Sequence, residues 1–404
     1  MMHAPLLIYQ LLVLAVLLVL LALIVVNLRV LPVLLRYGRI RVDELQPRVA
    51  VLVPARNEEA NMEECLTSLL AQDYANYDVW LYDDESSDQT LQIAMRIAED
   101  HNPKPKIWVP AEPPRLNVVA GTEALPAGWL GKAYACHRLY RAMRERYNPE
   151  YLLFTDADVR HEPGALRHAV AAARAFDAGL LSVFPRQRTV TWSERLAVPV
   201  MQHWAVYGIL PLPLAFTLET GPAFAAANGQ FMLFTREAYE ACGGHVAVRG
   251  EVLEDVALAR AVKRSGHRAL LADAGPLVST RMYEGLGAVW RGYSKNTYAF
   301  FGYSPVFLAL GLVLLAELYV APPFMALYAL MTRQVSLELF YLPLAQYATA
   351  VLGRALLSAR FAYRGADALL HPVSILFMIA ICLNSMRWSL TGKGTWKGRA
   401  QRAR

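Results

Sequence analysis

Cysteine is scarce in this sequence of 404 residues, which contains four: Cys65, Cys136, Cys242 and Cys382. Their spacing matches no metal-ligand motif, and Cys382 lies in an apolar run. We therefore expect reduced, structural cysteines. The chain also has no internal repeat and no low-complexity stretch, so a repeat protein is not indicated.

Charge is also sparse, because charged residues make up 18% of the chain and hydrophobic residues 55%. The mean hydropathy of +0.27 is too high for an ordinary soluble enzyme. The apolar residues concentrate in 5–28 and beyond 304, whereas 45–300 has the composition of a globular domain with one large core. We therefore predict one globular domain between membrane segments.

The charge that is present has a positive excess, with a formal net charge of +6 and a pI of about 9.1. No basic helix or recognised nucleic-acid module accompanies this excess, so we expect no nucleic-acid partner. Lys and Arg next to membrane segments, facing anionic lipid headgroups, explain the excess more simply.

The first long apolar run is 6–26, in which Gln10 is the one clearly polar side chain. About 20 such residues cross a bilayer as a helix. A cleaved signal peptide would carry basic residues in front and small residues behind. Here the basic residues follow the run: Arg29, Arg36, Arg39 and Arg41. We therefore predict an uncleaved anchor over 1–35, with the following domain in the cytoplasm.

The C-terminal part, 304–390, is predicted to be transmembrane. It contains three candidate membrane segments: 304–331, 337–358 and 369–388. A basic tail, 391–404, follows and is expected in the cytoplasm of this multi-pass inner-membrane protein. A cytoplasmic domain and tail require an even number of crossings between them. One segment is therefore re-entrant or interfacial, or 304–331 forms a hairpin around Pro322 and Pro323.

Another apolar and aromatic stretch, 192–217, is broken by Pro199, Pro211 and Pro213. It is too interrupted for a clean membrane span. It is interpreted as helices lying in the membrane interface, near a lipid substrate, or as a core helix pair.

Strand and helix patterns alternate through the middle of the chain. Short β-branched or apolar runs predict strands at 48–54, 78–84, 106–110, 151–155 and 179–184. Helical spacing predicts helices at 60–71, 89–100, 132–145 and 163–176. The alternation predicts an α/β fold with a mostly parallel sheet, in which ligands bind beyond the carboxyl ends of the strands.

Four acidic stretches stand at strand or helix edges: "PARNEE" (54–59), "YDDESSDQT" (82–90), "TDADVR" (155–160) and "VLEDVALARAVKRSG" (252–266). Singly, each has a structural explanation as an Asx turn, a helix cap, a solvated turn or a favourable partner of a helix dipole. Four in this order, each at a strand or helix edge, indicate a functional site rather than four separate structural features.

In this order the stretches resemble the inverting family 2 glycosyltransferases of the GT-A fold, over roughly 48–300. The matching motif residues are Pro54, Asn57, Glu58, Asp83, Asp84, Ser86, Asp88, Thr90, Asp156, Asp158, Glu254 and Asp255. "GWLGKAYAC" (128–136) and "NGQFMLFTREAYEACGG" (228–244) resemble further elements of the family. The resemblance implies a Rossmann-like GT-A domain in the cytoplasm, flanked by transmembrane helices.

The resemblance also implies roles for these residues. Asp158 would contact a divalent ion, Mg²⁺ or Mn²⁺, directly, and Asp156 would bind the ribose or a water on that ion. The remaining nucleotide-binding candidates are Pro54, Arg56, Glu58, Asp83, Asp84 and Lys132. Lys132 is predicted to contact phosphate or ribose, or else it is an exposed lysine that opens a helix.

Inverting transfer needs a base for the acceptor hydroxyl. By family position Asp255 is the candidate, and Glu254 is the alternative. We expect the helix start to lower the pKa of Asp255 and make it a weak base. Processive family members carry a Gln-x-x-Arg-Trp motif; here Trp290 is present but Val289 stands in the arginine place, which argues against a polymer synthase. Arg291 is predicted to contact the diphosphate or to belong to a basic helix near the membrane.

The chain is most similar to the subgroup of membrane-anchored transferases that act on carotenoid and other isoprenoid lipids. The similarity includes the anchor, "LPAGWLGKAYAC", "NGQFMLFTREAYE", "RMYEG" and "WKGR". It implies transfer of one hexose to a lipid hydroxyl or carboxyl. Glucose from UDP-glucose is the first candidate for the donor. Diacylglycerol, ceramide-like and polyprenyl-phosphate acceptors remain alternatives. So does a transporter regulated by sugar nucleotide, which Glu317 in an apolar run would favour.

Overall fold

The computed structural model describes residues 3–38, 46–103, 114–218, 220–391, 395–396 and 399–400. The chain divides into two compact units. The sheet unit comprises 31–188 and 213–282, and the helical unit comprises 1–30, 189–212 and 283–404.

Twelve strands lie in the described residues: β1 Val49–Ala55, β2 Tyr77–Asp83, β3 Leu116–Ala120, β4 Tyr151–Thr155, β5 Val159–His161, β6 Ala178–Phe184, β7 Arg186–Gln187, β8 Phe231–Thr235, β9 Arg268–Asp273, β10 Val278–Thr280, β11 Thr395–Trp396 and β12 Arg399–Ala400. The helices of the sheet unit begin after β1, and all α-helices are numbered along the chain: α1 His3–Val30, α2 Glu59–Leu70, α3 Thr90–His101, α4 Gly131–Arg144, α5 Ala165–Ala175, α6 Trp192–Val198, α7 Ala205–Tyr207, α8 Leu212–Phe216, α9 Arg236–Ala241, α10 Gly244–Ala247, α11 Glu254–Arg264, α12 Gly285–Ser294, α13 Thr297–Phe300, α14 Pro305–Leu315, α15 Ala321–Met331, α16 Leu342–Arg360 and α17 His371–Thr391. Three π-helical segments (Pro199–Trp204, Ala316–Val320 and Leu337–Tyr341) and three 3₁₀ segments (Leu34–Arg36, Gly221–Phe224 and Gly365–Leu370) join them.

The core of the sheet unit is a seven-stranded sheet in the order β3-β2-β1-β4-β8-β6-β9. All neighbours pair in parallel except the two pairs that include β8, which runs against the other six strands. A small second sheet has the order β5-β10-β7. The sheet confirms the mostly parallel α/β fold that the alternation predicted, and the GT-A-like architecture that the resemblance implied.

Both faces of the large sheet are buried. Along β1, Val49, Val51 and Val53 enter one apolar cluster, while Ala50 and Leu52 enter a second cluster on the opposite face. Because side chains alternate between the faces of a strand, helices must cover both faces, and short uninterrupted apolar runs result. Those runs are why β1, β2, β4 and β6 could be predicted from the sequence.

The strand predicted at 106–110 lies outside the described residues. The sheet instead gains β3 at its edge, in a stretch where we predicted no strand, because "LNVVA" contains a polar residue and is only partly buried. The predicted tail, 391–404, lies largely outside the described residues.

In the helical unit, three helices among the described residues are long and apolar enough to cross a membrane: Ala4–Val30, Pro305–Met331 and Gly365–Thr391. The segment 304–331 is one continuous helix with a π-helical stretch at Ala316–Val320, not a hairpin. The segment predicted at 337–358 is helical, but it is not among these three. Residues 192–217 form short helices and a π-helical turn. Asn27, near the end of α1, makes hydrogen bonds to this stretch: its Nδ2 donates to the backbone oxygens of Tyr207 and Leu210, and its Oδ1 accepts from the Leu212 amide.

Candidate active site

The polar groups of the sheet unit gather at one edge of the large sheet. β1, β2 and β4 lie side by side and parallel, so their carboxyl ends meet there. β8 runs the other way, and its first residue, Phe231, pairs with Thr155 at the end of β4. The loops after β1, β2 and β4 and the loop before β8 therefore converge, as expected for an open α/β sheet.

The loops after β1 and β2 are tied together by hydrogen bonds. The amide of Asn57 donates to Ser86 Oγ at 3.0 Å, and the amide of Glu58 donates to Thr90 Oγ1 at 2.8 Å. The amide of Glu59 donates to Asp88 Oδ2 at 3.1 Å. Asn57 has a φ of 52°, a conformation that Asn tolerates better than most residues. Several residues of the two motifs thus hold the loops in place.

Arg56, Asp83 and Asp84, three of the predicted nucleotide-binding residues, lie together at this edge. The Arg56 guanidinium donates to the Asp84 backbone oxygen, and its Nη1 lies 3.8 Å from Asp84 Oδ2. Asp83 and Asp84 are each 3% exposed. Asp83 Oδ2 accepts from the Ser86 amide, whereas its buried Oδ1 has no hydrogen-bond partner among the described residues. A buried carboxylate oxygen without a donor fits a base N–H or ribose hydroxyl.

Lys132 joins two of the acidic stretches. Its Nζ lies 2.8 Å from Asp156 Oδ1 and 3.1 Å from Glu254 Oε1. Burial alone would lower the pKa of Lys132, but Asp156 and Glu254 outweigh it and raise that pKa well above its ordinary value. The prediction that placed Lys132 at phosphate or ribose is untested, but Lys132 is not merely an exposed lysine at a helix start, since its side chain is 26% exposed and paired twice.

Asp255 stands next to this ion pair at the start of α11. Its Oδ2 accepts from the Gly229 amide at 3.0 Å and its Oδ1 from the Val256 amide at 2.8 Å. Burial, followed by the charge of Glu254, nevertheless raises the pKa of Asp255 from 3.8 to about 7. The expectation that the helix start lowers this pKa was wrong, because two N–H groups and Lys132 do not offset burial beside another carboxylate.

Asp156 and Asp158 follow β4 and are both partly buried. The Asp158 backbone oxygen accepts from Thr280 Oγ1 at 2.9 Å, which anchors the loop to β10. No group of three or more His, Cys, Asp and Glu side chains is assembled for a metal within the described parts of the chain. Two carboxylates fit a Mg²⁺ or Mn²⁺ ion that takes its other ligands from phosphate and water. The donor set is thus compatible with the predicted ion.

A small pocket at this edge is lined by Pro54, Lys132, Asp156, Gly229, His245 and Glu254, among others. Sequence reasoning missed two of these residues. Burial lowers the pKa of His245 to about 3, so it is neutral, and its Nδ1 lies 2.8 Å from the Tyr239 hydroxyl. A Cβ on Gly229 would lie 3.1 Å from Lys132 Nζ, so glycine leaves room for the ion pair.

The predicted site residues therefore fall into two groups. Those that lie at this edge of the sheet unit are Pro54, Arg56, Glu58, Asp83, Asp84, Lys132, Asp156, Asp158, Glu254 and Asp255. Arg291 lies instead on α12, in the helical unit, where it is exposed. Its predicted contact with a diphosphate stays a prediction.

The chain is similar to a known protein family and to a curated protein. The sequence matches the family described as "Glycosyltransferase like family 2" over residues 47–281, more than half of the chain. A curated protein, 4,4'-diaponeurosporenoate glycosyltransferase of Staphylococcus aureus strain USA300, is 25% identical over 358 residues, which cover 87% of each chain.

Two solved structures are also similar. The mannosyltransferase PcManGT of Pyrobaculum calidifontis, in complex with GDP-Man and Mn2+, is 19% identical with a TM-score of 0.47, covering 94% of this chain and 99% of that chain. Staphylococcus aureus TarS 1–349 in complex with UDP-GlcNAc is 16% identical with a TM-score of 0.39, covering 84% and 89%.

Proposed function

This chain belongs to the glycosyltransferase family 2, and we propose that it transfers one hexose, with inversion, from a nucleoside diphosphate sugar to a lipid acceptor at the membrane. Glucose from UDP-glucose is the proposed donor, and a carotenoid or another isoprenoid is the proposed acceptor. The chain is an enzyme of the glycosyltransferase class; the donor, the stereochemistry and the acceptor are the parts that need testing.

The single observation that carries the proposal is the placement of Asp255 at the start of α11, beside the Lys132 ion pair. A carboxylate with a pKa of about 7 is a far better proton acceptor near neutral pH than an ordinary aspartate. Two backbone N–H groups hold it beside Glu254, Lys132 and Asp156. That is the place where an acceptor oxygen and a sugar diphosphate would have to meet.

In the proposed reaction the acceptor hydroxyl oxygen bonds to the anomeric carbon as the bond from that carbon to the diphosphate breaks. Asp255 takes the hydroxyl proton, and Glu254 stays paired with Lys132. Asp83, Asp84 and Arg56 hold the nucleoside. A Mg²⁺ or Mn²⁺ ion bound by Asp158 and Asp156 would neutralise the charge that develops on the leaving diphosphate.

The acceptor proposal rests on two observations. The relative from Staphylococcus aureus is named for a carotenoid acid, and the chain aligns with it over most of both lengths. This chain also has three helices apolar enough to cross a membrane, which would bring a lipid to the enzyme. We propose a multi-pass protein of the cell membrane with its sheet unit in the cytoplasm. Diacylglycerol, ceramide-like and polyprenyl-phosphate acceptors are the second candidates, since an apolar approach suits them equally.

The test is transfer of label from radiolabelled UDP-glucose into organic-extractable lipid, in membranes that contain the full chain and added Mg²⁺. We expect label in an isoprenoid fraction, loss of label on chelation, and recovery when the ion is restored. Label in a diacylglycerol or polyprenyl-phosphate fraction would show that the acceptor is that lipid and not an isoprenoid. Label transferred only from another sugar nucleotide would show that the donor is not UDP-glucose.

Two matched variants complete the test. The Asp255→Asn protein should lose at least about 100-fold in turnover, because the change removes the base. It should still bind UDP, because asparagine has nearly the same volume as aspartate. Asp177→Asn is the control, since Asp177 is an exposed aspartate at a φ of 50°, where asparagine is well tolerated. Equal turnover in both variants would rule out Asp255 as the base.

A further inference from the structure

A second group of polar side chains lies within the helical unit. None of these residues takes part in the proposed transfer reaction. Arg354 and Ser358 are one turn apart on α16, and His371 and Ser374 are one turn apart on α17. Arg354 is 1% exposed and the other three are fully buried. α16 packs against α17 and against the 3₁₀ segment Gly365–Leu370 that leads into it. We call these four residues the Arg354 cluster.

The polar atoms of the Arg354 cluster are poorly satisfied. Arg354 Nη2 donates to the Arg195 backbone oxygen at 3.4 Å. Within the described residues, Arg354 Nε and Nη1, both ring nitrogens of His371, and the Oγ atoms of Ser358 and Ser374 have no hydrogen-bond partner. Buried polar atoms in proteins nearly always have partners, and a buried ion without one is strongly unfavourable. A ligand or ordered water should therefore complete this cluster.

The charge balance around the cluster is positive. Asp367, a buried carboxylate of the same unit, is paired with another arginine, since its Oδ2 lies 3.1 Å from Arg195 Nε. In the described chain, no carboxylate oxygen lies within 4.0 Å of the Arg354 guanidinium. The missing partner of Arg354 is therefore expected to carry negative charge and oxygen acceptors, for which guanidinium is well suited.

The surroundings of the cluster are apolar. The rings of Trp204 and Tyr319 lie 5.6 Å and 5.1 Å from the His371 ring. The connection between α16 and α17 leads directly into His371 and includes several exposed residues, among them Ala362 and Arg364. A ligand with an anionic end and an apolar body matches this combination of polar centre, aromatic wall and exposed flank.

We propose that the Arg354 cluster binds the anionic group, carboxylate or phosphate, of a lipid. The guanidinium supplies three N–H donors, one from Nε and two from Nη1. His371 supplies one N–H, and Ser358 and Ser374 supply hydroxyl donors. The site is distinct from the residues that carry the proposed transfer reaction and stands whether or not that proposal is correct. Two lipids offer this chemistry: an anionic phospholipid and an acidic isoprenoid.

The test uses the full chain purified in neutral detergent and measures its thermal unfolding with four added lipids. Phosphatidylglycerol is compared with phosphatidylcholine, and retinoic acid with retinol, so each pair differs mainly in the anionic group. We expect an anionic member to raise the unfolding temperature more than its neutral counterpart. Stabilisation by phosphatidylglycerol identifies a phospholipid site, and stabilisation by retinoic acid identifies a site for acidic isoprenoids.

Arg354→Met locates the effect, because methionine keeps much of the volume and removes the charge. It should weaken the stabilising lipid at least about tenfold, while Arg364→Met, at an exposed arginine, should leave its affinity unchanged. If Arg354→Met does not fold, His371→Phe takes its place. Equal stabilisation by anionic and neutral lipids in the unaltered chain overturns the proposal and leaves a water-filled polar cluster. So does an undiminished effect in the Arg354→Met or His371→Phe protein.

Discussion

Asp255 has a different pKa from the one that its position at a helix start would give it. A carboxylate at a helix start normally has a low pKa, because N–H groups stabilise its charge. Here burial and the neighbouring Glu254 prevail, and the pKa is about 7. The residue is therefore poised between its two protonation states at neutral pH, as a general base requires.

The first prediction concerns the pH dependence of transfer. If Asp255 is the base, kcat/KM should rise as pH rises through about 7 and then level off, because only the ionised carboxylate accepts a proton. The measurement is lipid glycosylation at limiting donor from about pH 5.5 to about pH 8.5, with UDP binding followed in parallel. A profile that is flat across this range, with unchanged UDP binding, would contradict the assignment.

The second prediction concerns stability at the same residue. The pKa of Asp255 is higher in the folded state than in the unfolded chain. The folded state is therefore favoured below about pH 4, and this contribution is lost as pH rises through about 7. Asp255→Asn removes the unfavourable ionisation, so it should raise the unfolding temperature by several degrees at about pH 8 and by much less at about pH 5. The same increase at both pH values would mean that Asp255 does not ionise near neutrality.

At the scale of elements, the site depends on how the loops after β1 and β2 are joined. Asp88 accepts from the amides of Glu59 and Thr90, at 3.1 Å and 3.0 Å, so one side chain links the starts of α2 and α3. These bonds set the position of Glu58 and of the loop that carries Asp84. Residues that resemble ligands in a motif thus serve partly to hold the elements that carry the ligands.

The third prediction follows from that link. Asp88→Ala should raise the KM for the donor about tenfold with a smaller change in kcat, because the nucleotide loops lose their fixed spacing while Asp255 is untouched. The matched control is Glu63→Ala, which breaks an exposed ion pair between the same two helices, Glu63 with Arg96. Exposed pairs contribute little, so the control should behave like the unaltered chain. A kcat loss without a KM change would instead place Asp88 in the chemistry.

At the scale of the whole molecule, the proposed topology puts the sheet unit in the cytoplasm. The positive residues in the last turn of α1 and after it, such as Arg29 and Arg36, favour that orientation. Two of the three helices that could cross a membrane follow the sheet unit, and the first of them, Pro305–Met331, would carry the chain to the other side.

The fourth prediction tests this orientation by labelling. The four native cysteines are buried, so a membrane-impermeant maleimide should react mainly with an added thiol. Glu237→Cys, at an exposed position on α9, should react only after the membrane is permeabilised. Met331→Cys, which is 77% exposed at the end of α15, should react in intact cells. Labelling of the Glu237→Cys protein in intact cells would invert the proposed topology.

The sequence by itself determined the class of the fold and the order of the site. Strands buried on both faces are continuous apolar runs, and helices that could span a membrane are long apolar runs, so both can be recognised locally. The carboxyl ends of adjacent parallel strands must meet, so the strand order alone places Glu58, Asp84 and Asp156 at one edge. β3 was not predicted, because it is an edge strand that is only partly buried and therefore lacks a continuous apolar run.

The tertiary structure alone decided which of these groups face one another and in what state. The pairing of Lys132 with Asp156 and Glu254, the raised pKa of Asp255 and the burial of His245 depend on residues far apart in the chain. The Arg354 cluster has no local signal either, since a single arginine in a helix is ordinary until its neighbours are known. Burial and charge act through space, and a linear pattern records only what is close along the chain.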